Sequence, residues 1–309
     1  HKFLEACNNP HFFFPSVQII GTNGKGTVSI ILSNILKGCG YKVGTFTSPH
    51  LVDINERISI NNKTIDDREI HSFLDNYHNK LKNIEPSFFE LMTVMAMWYF
   101  KEKKVDIAIL ETGLGGRLDS ITACKNSILA FTSISMDHHS ILGNSLIKIA
   151  SEKAQAINNN NQKCISINQG DKINKILQEY AQKQDVNINF IDNEKNNFDL
   201  KYLRGEHQQI NANLAFAVAM NIFQREDSQF FFMRAFVKFT NPLLKIFKPL
   251  TPTFIIQPLV PLYVAWFFFM IRFYLMPYVL GYSVMGMLSF PLESEISRQI
   301  YQFFNSIKF

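Results

Sequence analysis

Val17-Gln18-Ile19-Ile20-Gly21-Thr22-Asn23-Gly24-Lys25-Gly26-Thr27-Val28 is an apolar run that breaks into a glycine-rich turn, and the chain then resumes with Val28, Ile31, Leu32, Ile35 and Leu36 at helical spacing. That order predicts strand, turn, helix, the context a phosphate-binding loop requires. The glycines let the backbone turn tightly enough to aim several N–H groups at one anion, and the N-terminus of the following helix adds partial positive charge. Gly21, Thr22, Asn23, Gly24, Lys25, Gly26 and Thr27 are therefore the candidate nucleotide-binding residues. Lys25 supplies a full charge for the β- and γ-phosphates, and Thr27 a hydroxyl for Mg2+. The spacing departs from G-x-x-x-x-G-K-[ST], because Gly26 stands between the lysine and the hydroxyl.

Outward from this loop, short apolar strands alternate with amphipathic helices as far as Phe223, which predicts an α/β fold with a mainly parallel sheet covered by helices. Strands are expected at Val17 to Ile20, Lys42 to Thr47, Val105 to Glu111, Ile128 to Ile134, Cys164 to Ile167 and Asn187 to Ile191. Helices are expected at Thr27 to Lys37, Asp66 to Asn83, Ser87 to Lys103, Ser145 to Ala156, Asp171 to Gln184 and Asn211 to Phe223. Ser87 followed by Glu90 forms a capping box, and Met92, Met95, Met97, Trp98 and Phe100 behind it read as core.

Composition limits the function classes. With 309 residues and 47% apolar content the chain is long enough for two domains. Cys7, Cys39, Cys124 and Cys164 lack C-x-x-C spacing, so neither a disulfide framework nor a zinc site is indicated, and a reducing cytoplasm is expected. The chain begins at His1 without Met and without a basic-then-apolar signal, which predicts a non-secreted chain clipped at its start. The net charge of +5 does not imply nucleic acid: residues 1–227 carry 24 basic and 24 acidic side chains, and residues 228–309 carry 7 and 2. That tail also holds 15 of the 29 phenylalanines, and between Lys248 and Glu293 its one charge is Arg272. A run of about 20 apolar residues suffices to span a bilayer. Residues 249–292 are accordingly a candidate membrane contact, broken by Pro249, Pro252, Pro258, Pro261 and Pro277, with Arg234, Lys238, Lys245 and Lys248 on the cytoplasmic side. The alternative is a buried core segment.

Loops that follow the strand ends of a parallel sheet face the ligand crevice. Ser48-Pro49-His50-Leu51 follows the second strand, with Asn55-Glu56-Arg57 soon after; by itself His50 beside a proline is a loop residue without a duty. The third strand ends Glu111-Thr112-Gly113-Leu114-Gly115-Gly116-Arg117-Leu118-Asp119. A strand-end carboxylate suits Mg2+; the alternative for Glu111 is a pair with Arg117. The fourth strand leads to Asp137-His138-His139, which brings an imidazole to the same edge unless the pair is a solvated loop.

Taken together these strings resemble the folylpolyglutamate synthase and dihydrofolate synthase family of Mur-ligase-like enzymes. GTNGKGT, TSPHL with NERISIN, LETGLGGRLD, SMDHHSILG, IASEKA at 149–154 and GEHQQINANLAFAV at 205–218 carry the resemblance across residues 1–223. It implies an ATP-binding Mur-ligase-like domain that joins L-glutamate to dihydropteroate or folates through an acyl phosphate, with ATP and two Mg2+ ions, acting as a cytoplasmic monomer on small molecules without nucleic acid. The resemblance gives Lys25, Lys153 and His138 catalytic roles, and Thr27, Ser48, Glu111, His138 and Lys153 roles at the metals. Lys153 matches a lysine the family carries as a carbamate; unmodified, it is a helix lysine beside Glu152. Ser48, Pro49, His50, Leu51 and Arg57 match the pterin side. Gln208 and Asn213 match the adenine side, or alternatively cap the helix near Asn211.

The match has departures. Gln155 stands where the family has glycine, and Ser120, Ile121 and Thr122 replace its usual small residue, Thr and Asn. No D-G-A-H-N motif of the family's C-terminal domain occurs. Residues 224–309 are expected to be a hydrophobic helical tail in its place, whose Asn241-Pro242-Leu243 turn resembles, over a short stretch, the YggT-like integral-membrane proteins of the bacterial inner membrane. A fused or misjoined chain with impaired ligase activity follows as one expectation, and a membrane-anchored protein with a non-catalytic nucleotide domain as the other.

Overall fold

The computed structural model describes residues 2–136, 144–192, 198–201, 203–223 and 266. The chain divides into two units, His1–Ile222 and Phe223–Phe309. Apart from Trp266, the expectations for the tail, including the span at 249–292 and the Asn241-Pro242 turn, lie outside the described residues. Among the described residues no helix is long and apolar enough to cross a membrane.

The first unit is built on an eight-stranded sheet. In chain order the strands are β1 (Ser16–Ile20), β2 (Val43–Phe46), β3 (Ile58–Ile60), β4 (Lys63–Thr64), β5 (Ile107–Glu111), β6 (Ile128–Phe131), β7 (Lys163–Ile167) and β8 (Ile188–Ile191). Across the sheet they run β4-β3-β2-β5-β1-β6-β7-β8. The six strands from β2 to β8 in that order are parallel, whereas β3 and β4 form an antiparallel edge. Every residue of β1, β2, β5 and β6 is buried, as strands covered on both faces require.

The helices are α1 (Lys2–Ala6), α2 (Lys25–Gly38), α3 (Asp67–Ile84), α4 (Phe88–Glu102), α5 (Leu146–Ala154), α6 (Asp171–Lys183) and α7 (Glu206–Phe223). One core joins Phe46 of β2 to Phe73 of α3 and to Met92, Met95, Trp98 and Phe100 of α4. A second joins Leu129 and Phe131 of β6 to Ile149 of α5 and to Ile173 and Leu177 of α6. Met92, Met95, Met97, Trp98 and Phe100 are thus core, as expected, while Phe88 at the start of α4 is exposed. Its capping box is formed as expected, with the Glu90 carboxylate accepting from the Ser87 N–H at 2.8 Å and the Ser87 hydroxyl accepting from the Glu90 N–H at 3.4 Å.

Most boundaries shift from expectation by one or two residues, and three differences are larger. The β3–β4 hairpin replaces what reads as loop: Asn61 and Asn62 adopt φ of 50° and 68°, the left-handed pair that a two-residue hairpin turn uses. The strand expected to run to Ile134 leaves the ladder after Phe131. Helix α7 begins at Glu206 rather than Asn211.

Candidate active site

The central position of β1 decides the site. β5 pairs with one of its edges and β6 with the other, so the segments after all three strands emerge side by side at one rim. The phosphate loop follows β1. Gly24, at φ 84°, ends it in a backbone conformation that side chains resist, and α2 starts at Lys25. The loop is fastened to the segment after β6: the N–H groups of Thr22 and Asn23 donate to the Ser133 carbonyl at 2.7 and 3.3 Å. The Thr22 hydroxyl accepts from the Ser135 N–H and donates to the Ser135 carbonyl, each at 3.1 Å. Lys25 Nζ donates to the Thr22 carbonyl at 3.0 Å, folded back over the loop.

Glu111 ends β5 within the reach of that loop. A methyl group at Gly26 would stand 3.5 Å from Glu111 Oε2, and the same oxygen accepts from the Ser48 N–H at 3.2 Å. The carboxylate is 4% exposed. Burial pushes its pKa up to about 7, against the opposing pull of the Ser48 N–H, Lys25 and Arg57. A desolvated carboxylate facing a phosphate loop is the donor a hard cation completes, so these residues fit Mg2+. Among the described residues the Glu111 carboxylate takes its hydrogen bond from Ser48, while Arg117 stands exposed, so the alternative pairing of the two is not what positions Glu111. Among the described residues no three His, Cys, Asp or Glu side chains gather as a ready metal cage.

Beyond Ser48 the loop after β2 is held by Glu56, whose carboxylate accepts from the N–H groups of Leu51, Val52 and Asp53 at 2.8, 3.0 and 2.9 Å, which keeps its pKa below the usual value. Leu51 is left 91% exposed. Arg57 is buried, lies over the Phe88 ring and donates through Nε to His50 Nδ1 at 2.8 Å. That bond makes Nδ1 the acceptor nitrogen of His50 and leaves Nε2 as the donor.

Lys153 reaches the loop from α5. Its Nζ, in a side chain 4% exposed, donates to the Gly21 carbonyl at 2.7 Å. A methyl group on Gly116 would stand 2.3 Å from the Glu152 carbonyl, so the Gly-Gly turn after β5 packs directly on the end of α5. Asp119 ties that turn together by accepting from the N–H groups of Gly113, Leu114 and Ile121. Burial raises its pKa, opposed by those donors and by Lys153.

The family model for the Mur ligase middle domain matches residues 19–224. The chain belongs to the Mur ligase family. It is 39% identical over 163 residues to the dihydrofolate synthase/folylpolyglutamate synthase of Bacillus subtilis, covering 50% of this chain and 38% of that one. It is 33% identical over 218 residues to a folylpolyglutamate synthase of Arabidopsis thaliana, covering 66% and 37%. Among solved structures, the Mycobacterium tuberculosis folylpolyglutamate synthase complexed with ADP superposes with a TM-score of 0.66 at 26% identity, covering 72% of this chain and 57% of that one. The chain spans under two-fifths of the length of these curated relatives.

Within this Mur ligase domain Lys25, Ser48, Glu111 and Lys153 come together at one rim, Thr27 lies in the first turn of α2 beside Gly26, and His138 lies outside the described residues. Of the residues expected beside the adenine, Asn213 is buried and donates to the Gln209 carbonyl of its own helix. Asn211 meets the phosphate loop: its Oδ1 would stand 2.4 Å from a methyl group on Gly24, and its Nδ2 donates to Gln208 Oε1 at 3.1 Å. Spacing carries the signal, because 208 and 211 share a helix face and 213 does not. A buried polar cluster beneath the site is missing from the sequence reading. Gln18 donates to the hydroxyls of Thr112 and Thr122, and Asn126 donates to Gln18 Oε1 and the Ile121 carbonyl. Thr122, a departure from the family string, donates to the Gly116 carbonyl at 2.8 Å and so helps to hold the turn.

Proposed function

We propose that the chain carries the nucleotide half of an ATP-dependent ligase that adds L-glutamate to dihydropteroate or a folate. One observation carries this: Lys25, Glu111 and Lys153 approach a single phosphate loop from three different elements, each through a contact on the page. The names of the relatives, and the ADP held by one of them, support the same substrates.

In this reading the loop amides not already taken by Ser133 and the N-terminus of α2 receive the phosphates, and Lys25 leaves the Thr22 carbonyl to neutralise their charge. Thr27 and Glu111 would hold a first Mg2+ with Ser48 beside them; Glu111, His138 and a carbamylated Lys153 would hold a second. Bound Mg2+ supplies charge neutralisation at the transferring phosphoryl group. Arg57, His50, Leu51 and Pro49 face the pteridine side, and Gln208 with Asn213 serve the adenine, Asn211 being the better placed against Gly24. A substrate carboxylate oxygen attacks the γ-phosphorus, giving an acyl phosphate and ADP. The glutamate amine then attacks the acyl carbon, phosphate leaves, and the amine nitrogen loses a proton. The chain's part is positioning and charge neutralisation. It would act as a cytoplasmic monomer, and the even acid–base balance of residues 1–227 gives nucleic acid no footing.

The test is Mg-ATP affinity, and phosphate release with dihydropteroate and glutamate, for the chain and for Lys25→Ala. Loss of affinity in the variant supports the reading; identical affinity and rates in both would remove it.

A further inference from the structure

The sheet ladder ends at different heights on β6 and β7. The last pair of residues in register is Phe131 with Ser166; β7 ends one residue later at Ile167, still paired with Ile191 of β8, and the chain then leads to α6. Past Phe131, residues 132–135 carry one isolated bridge, Ser133 to Asn23, and no ladder partner on their β7 side. A side chain fills that place. Gln169 Nε2 donates to the Thr132 carbonyl at 2.6 Å, and Gln169 Oε1 accepts from the Ile134 N–H at 3.1 Å. One carboxamide thereby supplies the donor and the acceptor that a neighbouring strand residue would supply. Gln169 is itself anchored, since its N–H donates to Asn174 Oδ1 at 3.0 Å at the start of α6.

The Thr132 carbonyl and the Ile134 N–H face Gln169, while the Thr132 N–H donates to the Ile20 carbonyl of β1 at 2.8 Å; the Ser133 carbonyl and the backbone of Ser135 face the phosphate loop, where they meet the Thr22 and Asn23 N–H groups and the Thr22 hydroxyl. The Asn23 side chain adds a bond to the Ser135 hydroxyl at 3.1 Å. The loop therefore leans on a ribbon whose other edge is set by one side chain from beyond β7.

We infer that Gln169 is a positioning residue for the phosphate loop, acting through the 132–135 ribbon; its consequence for nucleotide affinity rests on the function proposed above. Removing the carboxamide leaves the Thr132 carbonyl and the Ile134 N–H without their partner, and the ribbon moves to recover one. Thr22 and Asn23 move with it.

The experiment uses the full chain and two readouts: amide hydrogen exchange at Thr22 and Asn23 without nucleotide, and the Kd for Mg-ADP. Gln169→Leu is expected to speed exchange at those two amides relative to the amides of α2, and to weaken Mg-ADP, each on the order of tenfold. Leu177→Ala, a cavity in the fully buried contact of α6, serves as a stability control; it should lower the thermal midpoint without changing those ratios. Gln169→Glu keeps an acceptor for Ile134 but sets a carboxylate oxygen against the Thr132 carbonyl, so an effect at least as large is expected, and it serves if the leucine variant fails to fold. Unchanged exchange in the Gln169 variants, or the same change in Leu177→Ala, overturns the inference. Faster exchange in a chain that binds no Mg-ADP even as wild type would support the coupling and overturn the ligase reading instead.

Discussion

At Glu111 and His11 burial shifts titration into the range where folding stability is measured. The Glu111 pKa stands at about 7, above the ordinary value of 4.5, so the folded chain binds a proton that the unfolded chain has released across that window. Stability in metal-free buffer therefore falls as pH rises from 4.5 through 7, by on the order of 3 kcal/mol in full. Glu111→Gln should flatten this slope in urea titrations at pH 5 and 8 with a chelator present, while weakening Mg2+-dependent nucleotide binding. His11 has the opposite sign. Burial, Lys125 and the N-terminal charge push its pKa down to about 4, and its Nδ1 has no hydrogen-bond partner among the described residues. The unfolded chain takes up the proton first, so stability is lost as pH falls from 6.5 through 4, by roughly 1–3 kcal/mol. His11→Leu should remove that acid sensitivity, which thermal melts at pH 4.5 and 7 would reveal.

At the scale of elements, helix ends and strand ends decide most of what happens. The Ser87–Glu90 box fixes where α4 begins and so where its methionines and aromatics enter the core. Ser87→Ala should cost about 1 kcal/mol in chemical denaturation without affecting nucleotide binding, since a cap satisfies donors that only its own helix presents. The start of α2 is the functional counterpart. Gly24→Ala places a methyl group against Asn211 and forces a φ of 84° on alanine, so it should weaken Mg-ADP at least tenfold by calorimetry, for a cost of roughly 1–2 kcal/mol at the loop. Both starts are legible in sequence, because capping boxes and glycine-rich turns are local. The start of α7 is not: Gly205 and Glu206 carry no hydrophobic period, and the helix is extended N-terminally where Asn211 meets Gly24.

For the molecule as a whole, ligand binding and folding are linked. Any nucleotide that binds the folded rim and not the open chain stabilises it by about 2.7 kcal/mol at a hundredfold excess over Kd. Mg-ATP should therefore raise the thermal midpoint of the wild-type chain, and the rise should vanish in Lys25→Ala; an equal rise in both would show that the lysine does not take part. The sequence by itself determined the phosphate loop, the alternation of strand and helix, the α4 core and most of the side chains now found at the rim. These are set by local chemistry, namely hydrophobic period, turn residues and caps. Only the tertiary structure decided that β5 and β6 flank β1, that Asn211 meets the loop, and that Gln18 and Gln169 tie distant segments together. Those choices depend on strand order and on hydrogen bonds between residues far apart in the chain. No short window of sequence contains both partners, so the pairing exists only once the sheet has brought them within reach.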